Sequence, residues 1–352
     1  MKKALLELDP QADALLILQC PNLQQIREPI EQEISSQKQQ TDAMKPPTTE
    51  DEMASLQPYL QNGQPNQIEF RVSAKHLCLA SPVFKKMIQG KYQESKPNDE
   101  GMLEIKASDW NAEAFLAVLD IIHGHHGSVP GNLPIDVIAQ VGVIVDYYDC
   151  REVVQIFFRS WSLSITHFLR YSIRAIHQNV IDDVGHFGDH ETIALFLART
   201  FRHSPCFTGL TRCAILNTLI PIETCLPIPA QILEKIHYMR CKLLDELFSQ
   251  LYRLQEDLIA GRVGCTLECS CRLLGYLMKK MRERNLPMER PSEPFTGYSV
   301  TSVVKLIGGI KTPSWRTHKS LDPCKLEKSL GLYQNGKDLD IAVPGLSLDD
   351  YQ

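Results

Sequence analysis

Apolar and polar residues begin to alternate regularly at residue 68. Ile68, Phe70 and Val72 are separated by Glu69 and Arg71. A period of two is typical of a half-buried strand. Two further short apolar segments, Asp13–Leu18 and Leu103–Ile105, also predict strands.

Helix-start signals follow the strand at residue 68. Ser81-Pro82 combines a capping residue with proline at the first helical position. The apolar Val83, Phe84, Met87 and Ile88 then recur at helical spacing, and Gly90 marks the expected end. Other helices in this region are predicted after Ser73, through Phe115 to Gly124, after Pro134 and after Cys150.

The strongest helical pattern lies after Pro229. Isoleucines and leucines recur at helical spacing to about residue 260, a length of about 45 Å. Leu244–Leu258 has heptad spacing over only two heptads, which favours packing within its own domain over a dimer zipper. Further helices are predicted over Leu267–Arg284 and after the capping Ser299.

A segment rich in glutamine and proline separates the first predicted strand from the regularly patterned region that begins at residue 68. Residues 19–67 contain eleven glutamines, several prolines and few aromatics, so they predict a mostly disordered insertion. The predicted organisation is a leading strand at 1–18, the Gln/Pro-rich insertion at 19–67, an α+β domain at 68–160, a helical linker region at 161–225, a helical C-terminal domain at 226–330 and a flexible tail at 331–352.

Charge and cysteine usage narrow the class of protein. The net charge of −5 argues against a general nucleic-acid or anionic-membrane binder. We find no signal peptide and no apolar stretch of about 18 residues. The 11 scattered cysteines are typical of reduced residues in the cytosol or nucleus.

The segment from Phe70 to Trp161 resembles a BTB/POZ domain. The resemblance rests on the strand at Phe70 and on the pattern H-x-x-L-x-S-x-x-F-x-x-M, which runs from His76 to Met87. It implies an α+β fold, a short mixed sheet flanked by helices, followed here by a mostly α-helical C-terminal half. The implied function is protein–protein interaction, by self-association or by binding a partner, and not catalysis.

The whole chain also resembles a BTB-containing family of filamentous fungi. The features that carry this are the leading strand, Leu226-Pro227-Ile228-Pro229, the long leucine-rich helix, Cys265-x-x-x-Cys269, Leu274-Gly275 and Pro313-x-Trp315.

Tyr92 and Glu94 lie where cullin-binding BTB proteins carry a hydrophobic-x-Glu motif. In those proteins the apolar residue packs on the cullin and the carboxylate fixes the loop. The resemblance therefore implies partner binding through Tyr92 and Glu94, as in a substrate adaptor of a cullin-RING ubiquitin ligase. A solvated charged loop is the alternative interpretation.

Motifs for catalysis are absent from the sequence: there is no P-loop, G-x-G-x-x-G or G-x-S-x-G. Cys265 and Cys269 have the spacing of structural zinc ligands, and His318 and Cys324 could complete a site. Reduced core cysteines are the alternative. The close His123, His125 and His126 are interpreted as a solvated turn.

Three functional classes stay open at this point. The first is an interaction module with protein partners, a homodimer and a cullin among them, with neither membrane nor nucleic acid expected. The second is a structural scaffold or transcription-associated dimer without cullin binding. The third is a zinc-stabilised nucleic-acid factor or enzyme within residues 226–330.

Overall fold

The structure, a computed structural model, divides into two compact units. The residues it describes are 4–27, 56–162, 187–313, 324–330 and 343–351. The first unit comprises the described residues up to 162 together with 196–203 and 224–227. The second unit comprises 187–195, 204–223 and the described residues from 228 onward.

A four-stranded mixed sheet forms the centre of the first unit. Its strands are β1 (Ala4–Glu7), β2 (Ala14–Gln19), β3 (Gln67–Val72) and β4 (Leu103–Ser108), in the order β1-β3-β2-β4. Strand β3 runs parallel to β1 and antiparallel to β2, while β2 runs parallel to β4. Leu16, Leu18 and Phe70 are fully buried, so the predicted alternation at β3 correctly identifies its core face.

Helices cover this sheet in the predicted order. They are α1 (Ala74–Ala80), α2 (Pro82–Gln89), α3 (Ala112–His123), α4 (Ile135–Tyr148) and α5 at residues 151–162. The Ser81 hydroxyl caps α2 by accepting from the Phe84 N–H at 3.0 Å, and it donates to the Tyr148 carbonyl. The rings of Phe84 and Tyr148 stack with centroids 4.1 Å apart. These contacts fix α2 against the end of α4.

Both ends of the predicted insertion are ordered, so its boundaries at 19 and 67 are too wide. The Asn22 side chain accepts from the Ala112 N–H at 2.8 Å and donates to the Leu56 carbonyl at 3.0 Å. Tyr59 and Pro65 form a bridge around a turn in which Gly63 adopts a φ of +77°. Polar composition suggested disorder here, yet asparagine side chains tie these segments to the domain. The middle of the insertion lies outside the described residues.

The second unit is helical. Its helices are α6 (Asp189–Thr200, whose last turns belong to the first unit), α7 (Ser204–Asn217), α8 (Ala230–Ile259), α9 (Leu267–Glu283), α10 (Val300–Gly308) and α11 (Leu326–Ser329). Helix α8 packs against α7, α9 and α10. Its predicted leucine stripe is buried, with Leu244, Leu247, Leu251, Leu254 and Leu258 each at most 3% exposed. Packing of the stripe within its own domain is therefore confirmed.

Part of the predicted flexible tail is ordered. Residues 343–351 lie against α7, where the Leu346 N–H donates to the Thr211 hydroxyl at 2.9 Å and the Thr208 hydroxyl donates to the Leu346 carbonyl at 3.0 Å. Leu346 and Leu348 are buried. The acidic composition hid these few apolar residues, which anchor the segment. Residues 331–342 lie outside the described structure.

No helix in the described ranges combines the length and the apolar character that crossing a membrane requires.

Candidate partner-binding loop and cysteine cluster

The Tyr92 ring lies on the backbone at the end of α2. Gly90 ends this helix, and a Cβ atom there would overlap the Lys86 carbonyl oxygen and come within 2.8 Å of the Tyr92 ring. Only glycine permits this close approach without a shift of the ring. Tyr92 nevertheless remains 56% exposed. The loop between α2 and β4, residues 90–102, therefore presents an aromatic side chain that packs on the Gly90 backbone and is open to solvent.

Hydrogen bonds within the loop hold this position. Residues Gln93–Ser95 form a 3₁₀ turn, and the Ser95 hydroxyl donates to the Tyr92 carbonyl at 2.6 Å. Further along, the Asn98 carboxamide oxygen accepts from the N–H groups of Glu100 and Met102, both at 3.0 Å. The turn packs against α2 and β4. Hydrogen bonds thus hold the loop in a defined conformation between helix α2 and strand β4.

A cleft of about 560 Å³ lies beside the same two elements. Met87 of α2 and Lys106 of β4 line it, together with Trp110 and Tyr147. Tyr147 is 60% exposed, and its ring contacts Trp110 edge to face at 5.2 Å between centroids. Aromatic residues of this kind, apolar in body and polar at the tip, are common in protein interfaces.

The sequence on either side of Tyr92 is rich in lysine. Lys85, Lys86, Lys91 and Lys96 are exposed within twelve residues of chain, whereas Glu94 is the one acidic residue in that stretch.

In the second unit, three cysteine sulfurs come together. The Sγ atoms of Cys265, Cys269 and Cys324 all lie within 4.8 Å of one another. Cys265 is exposed, Cys269 is buried and Cys324 is half-buried. Burial, together with the neighbouring Cys269 and Cys265 thiols, raises the pKa of the Cys324 thiol. The structure thus brings together three of the four zinc ligands predicted from the sequence, and the fourth, His318, lies outside the described residues.

Comparison with known families decides the nature of the first unit. Residues 60–160 match the family model of the BTB/POZ domain. The chain contains a BTB/POZ domain. Neither the curated proteins nor the solved structures that were searched gave a match. The BTB/POZ domain is a protein-interaction fold and not an enzyme family.

The BTB/POZ match begins at residue 60, before the predicted boundary at 68, and includes the turn around Gly63. Strands β1 and β2 lie outside the matched span, yet they complete the sheet of the domain. The predicted fold class, an α+β BTB/POZ domain followed by a mostly helical C-terminal half, is confirmed.

Glu94 differs from the expectation based on the resemblance. Its side chain is half-buried, and its carboxylate makes no hydrogen bond to any described residue. The loop is fixed by Ser95 and Asn98 instead. Among the described residues, the carboxylate of Glu94 therefore has no hydrogen-bond donor.

The histidines after α3 of the BTB/POZ domain have two different environments. His125 and His126 are exposed, as predicted for a solvated turn. His123 is instead half-buried: its Nδ1 lies 2.8 Å from the Leu119 carbonyl and its Nε2 accepts from the Ser73 N–H at 3.0 Å. Burial lowers the pKa of His123. This residue stabilises the start of α1 in its neutral form.

Sequence reasoning missed Arg240, the largest polar side chain buried in the second unit. Its guanidinium donates to the carbonyl oxygens of Thr218, Leu219, Pro294, Phe295 and Tyr298 at 2.7–2.9 Å. The signal was its position midway between the buried Ile236 and Leu244, at steps of four residues along α8. A charged residue on an apolar stripe indicates that hydrogen-bond partners are buried with it, because an unpaired charge in a core is costly.

Proposed function

We propose that the BTB/POZ domain docks a protein partner through Tyr92 and that this partner is a cullin, which would make the chain a substrate adaptor of a cullin-RING ubiquitin ligase. The observation that carries the proposal is the Tyr92 ring, 56% exposed and supported by the Gly90 backbone. Exposed aromatic side chains that become buried at the centre of an interface often contribute about 2 kcal/mol or more.

The rigidity of the loop supports the same proposal. A side chain that is already held in place loses little conformational entropy when a partner covers it. The Ser95 and Asn98 hydrogen bonds hold the loop between α2 and β4. The loop therefore has the preorganised geometry expected of a docking anchor.

The charge around the anchor predicts how binding responds to salt. Four exposed lysines lie within seven residues of Tyr92 along the chain, and exposed charges at the rim of an interface act mainly on the rate of association. Binding to an acidic partner face should therefore weaken as ionic strength rises. The cleft lined by Met87, Trp110 and Tyr147 extends the docking surface along α2 and α4.

A pull-down from cell extract tests this function. Wild type is compared with the double variant Tyr92→Ala/Glu94→Ala and with Tyr238→Ala, a control at an exposed tyrosine of α8. Cullin recovery should fall by at least about tenfold in the double variant, as expected for a lost anchor of about 2 kcal/mol. It should be unchanged in the control. Circular dichroism should show the same helix content in all three proteins.

Two results would contradict the cullin proposal. One is the absence of any cullin with wild-type protein, and the other is equal recovery with wild type and the double variant. Either would leave the BTB/POZ domain as an interaction module whose partner is not a cullin, which is the scaffold alternative.

A further inference from the structure

We propose that Cys265, Cys269 and Cys324 bind a structural Zn²⁺ ion, which ties the segment at residues 324–330 to the N-terminus of α9. The proposal is independent of partner binding, since it concerns the second unit alone. It rests on the short distances between the three sulfurs, on the contacts that hold each cysteine in place and on the exposure of Cys265.

A tight loop between α8 and α9 positions Cys265 and Cys269. Gly264 adopts a φ of +116°, and a Cβ atom there would come within 2.9 Å of the Ser270 backbone nitrogen. Thr266 caps α9 by accepting from the Cys269 N–H at 3.1 Å. The Ser270 hydroxyl donates to the Leu258 carbonyl at 2.7 Å. Cys265 and Cys269 therefore occupy fixed positions just before and within the first turn of α9.

Cys324 is brought to the same place by contacts of the following residues. Both oxygens of the Glu327 carboxylate accept from Thr312, one from its N–H at 2.8 Å and the other from its hydroxyl at 2.6 Å. The Thr312 hydroxyl in turn accepts from the Leu326 N–H at 2.8 Å. Leu326 is fully buried. The segment at 324–330 is thus held by its own hydrogen bonds and core contact.

The separation of the sulfurs fits a metal site. With Zn–S bonds of about 2.3 Å, tetrahedral geometry places thiolates roughly 3.8 Å apart. The three sulfurs lie within 4.8 Å of one another, so small rotations of the side chains would bring all three to bonding distance from one ion. Three thiolates are soft ligands, which select Zn²⁺ over Mg²⁺ or Ca²⁺. The N-terminus of α9 also favours negatively charged thiolates.

Burial distinguishes this cluster from ordinary core cysteines. Among the described residues, Cys150 and Cys213 are each buried without another thiol beside them, as small core side chains are. In the cluster, by contrast, Cys265 is exposed and Cys324 is half-buried. Apolar packing does not explain why the exposed Cys265 thiol lies against that of Cys324 from a distant part of the chain, whereas a shared ion does.

Cys271 provides a matched control. It lies two residues after Cys269 on α9, about 200° further around the helix, and it is exposed. It does not belong to the group of converging sulfurs. Its replacement removes a thiol from the same helix without touching the proposed site.

The test is elemental analysis of the untagged full-length protein, as purified and after reconstitution with Zn²⁺ followed by desalting. Wild type and Cys271→Ser should retain about one zinc per chain. Cys265→Ser and Cys324→Ser should lose most of it. Because Cys265 is exposed, its substitution should leave the apolar core unchanged. Addition of Co²⁺ should give tetrahedral thiolate–cobalt absorption in wild type and Cys271→Ser only.

The proposal is overturned if folded wild type retains no zinc after reconstitution, or if Cys265→Ser and Cys324→Ser retain as much as Cys271→Ser. A disulfide between two of the three cysteines in protein prepared under reducing conditions would also overturn it.

Discussion

His123 shows how a single residue links the sequence to a measurable property of the BTB/POZ domain. Its two ring nitrogens serve opposite roles, since Nδ1 donates to the Leu119 carbonyl while Nε2 accepts from the Ser73 N–H. Only the neutral ring can do both. Protonation would therefore break the contact with Ser73. The other titratable groups near it are His76, His125 and Asp9.

Lowering the pH should destabilise the domain through His123. Burial lowers the folded-state pKa below the unfolded value of about 6.5, so the unfolded chain binds the proton more readily. The contribution of His123 to stability is complete above about pH 6.5 and is lost as the pH falls towards the lowered folded-state pKa. Thermal melting at pH 7.5 and pH 5 measures the effect. His123→Gln should show a smaller difference in melting temperature between these pH values than wild type.

His126→Gln is the matched control for this experiment, because His126 is exposed in the same turn. It should behave as wild type. An equal pH response in wild type and in His123→Gln would mean that His123 does not control the acid sensitivity.

Arg240 shows the limit of prediction at the residue scale. The apolar stripe of α8 could be read from the sequence because each leucine repeats the same helical period. The partners of Arg240 could not, since its acceptors are backbone carbonyls of residues 218–219 and 294–298, which approach it only in the folded chain. Cys265 and Cys269 could be paired from their close spacing, whereas Cys324 was included only because it lies, with His318, near the far end of the same predicted domain.

At the scale of elements, helix α8 organises the second unit. It contacts α7, α9 and α10, and its buried stripe extends from Ile232 to Leu258. A helix of this length draws most of its stability from such packing rather than from its own propensity. The stripe is thus the core of the unit.

Replacing Leu247 by aspartate should therefore be severe. Leu247 is 3% exposed, and a buried carboxylate without a partner costs several kcal/mol, comparable to the stability of a whole domain. Arg253→Asp, which places the same carboxylate on an exposed position of the same helix, should cost less than about 1 kcal/mol. Chemical denaturation followed by circular dichroism compares the two variants. Similar free energies of unfolding for both would show that the stripe is not a core.

Periodic elements were predictable, and those held by non-local contacts were not. The helices beginning at Ala230 and Leu267 agree with the predicted ranges to within a residue or two. Strand β1 escaped prediction because four residues are too short to show a period, and its stability comes from pairing with β3. The ordered tail at 343–351 likewise depends on α7, which the tail sequence does not reveal.

At the scale of the whole molecule, the chain combines a BTB/POZ domain with a helical unit in which three thiols form a cluster. The N-terminal strands β1 and β2 belong to the BTB/POZ sheet although a long segment separates them from β3. The partner-binding surface proposed for this domain depends on one loop, with Tyr92 as its anchor. This dependence makes the central claim testable at a single position.

Site-specific photo-crosslinking tests the claim most directly. Tyr92 is replaced by photoreactive p-benzoylphenylalanine, which preserves an aromatic ring on Gly90, and Tyr238 is replaced in the same way as an exposed control. After irradiation in cells, mass spectrometry identifies the adducts. The account predicts a cullin adduct at position 92 and none at position 238. No cullin adduct at position 92, or equal yields at both positions, would contradict it.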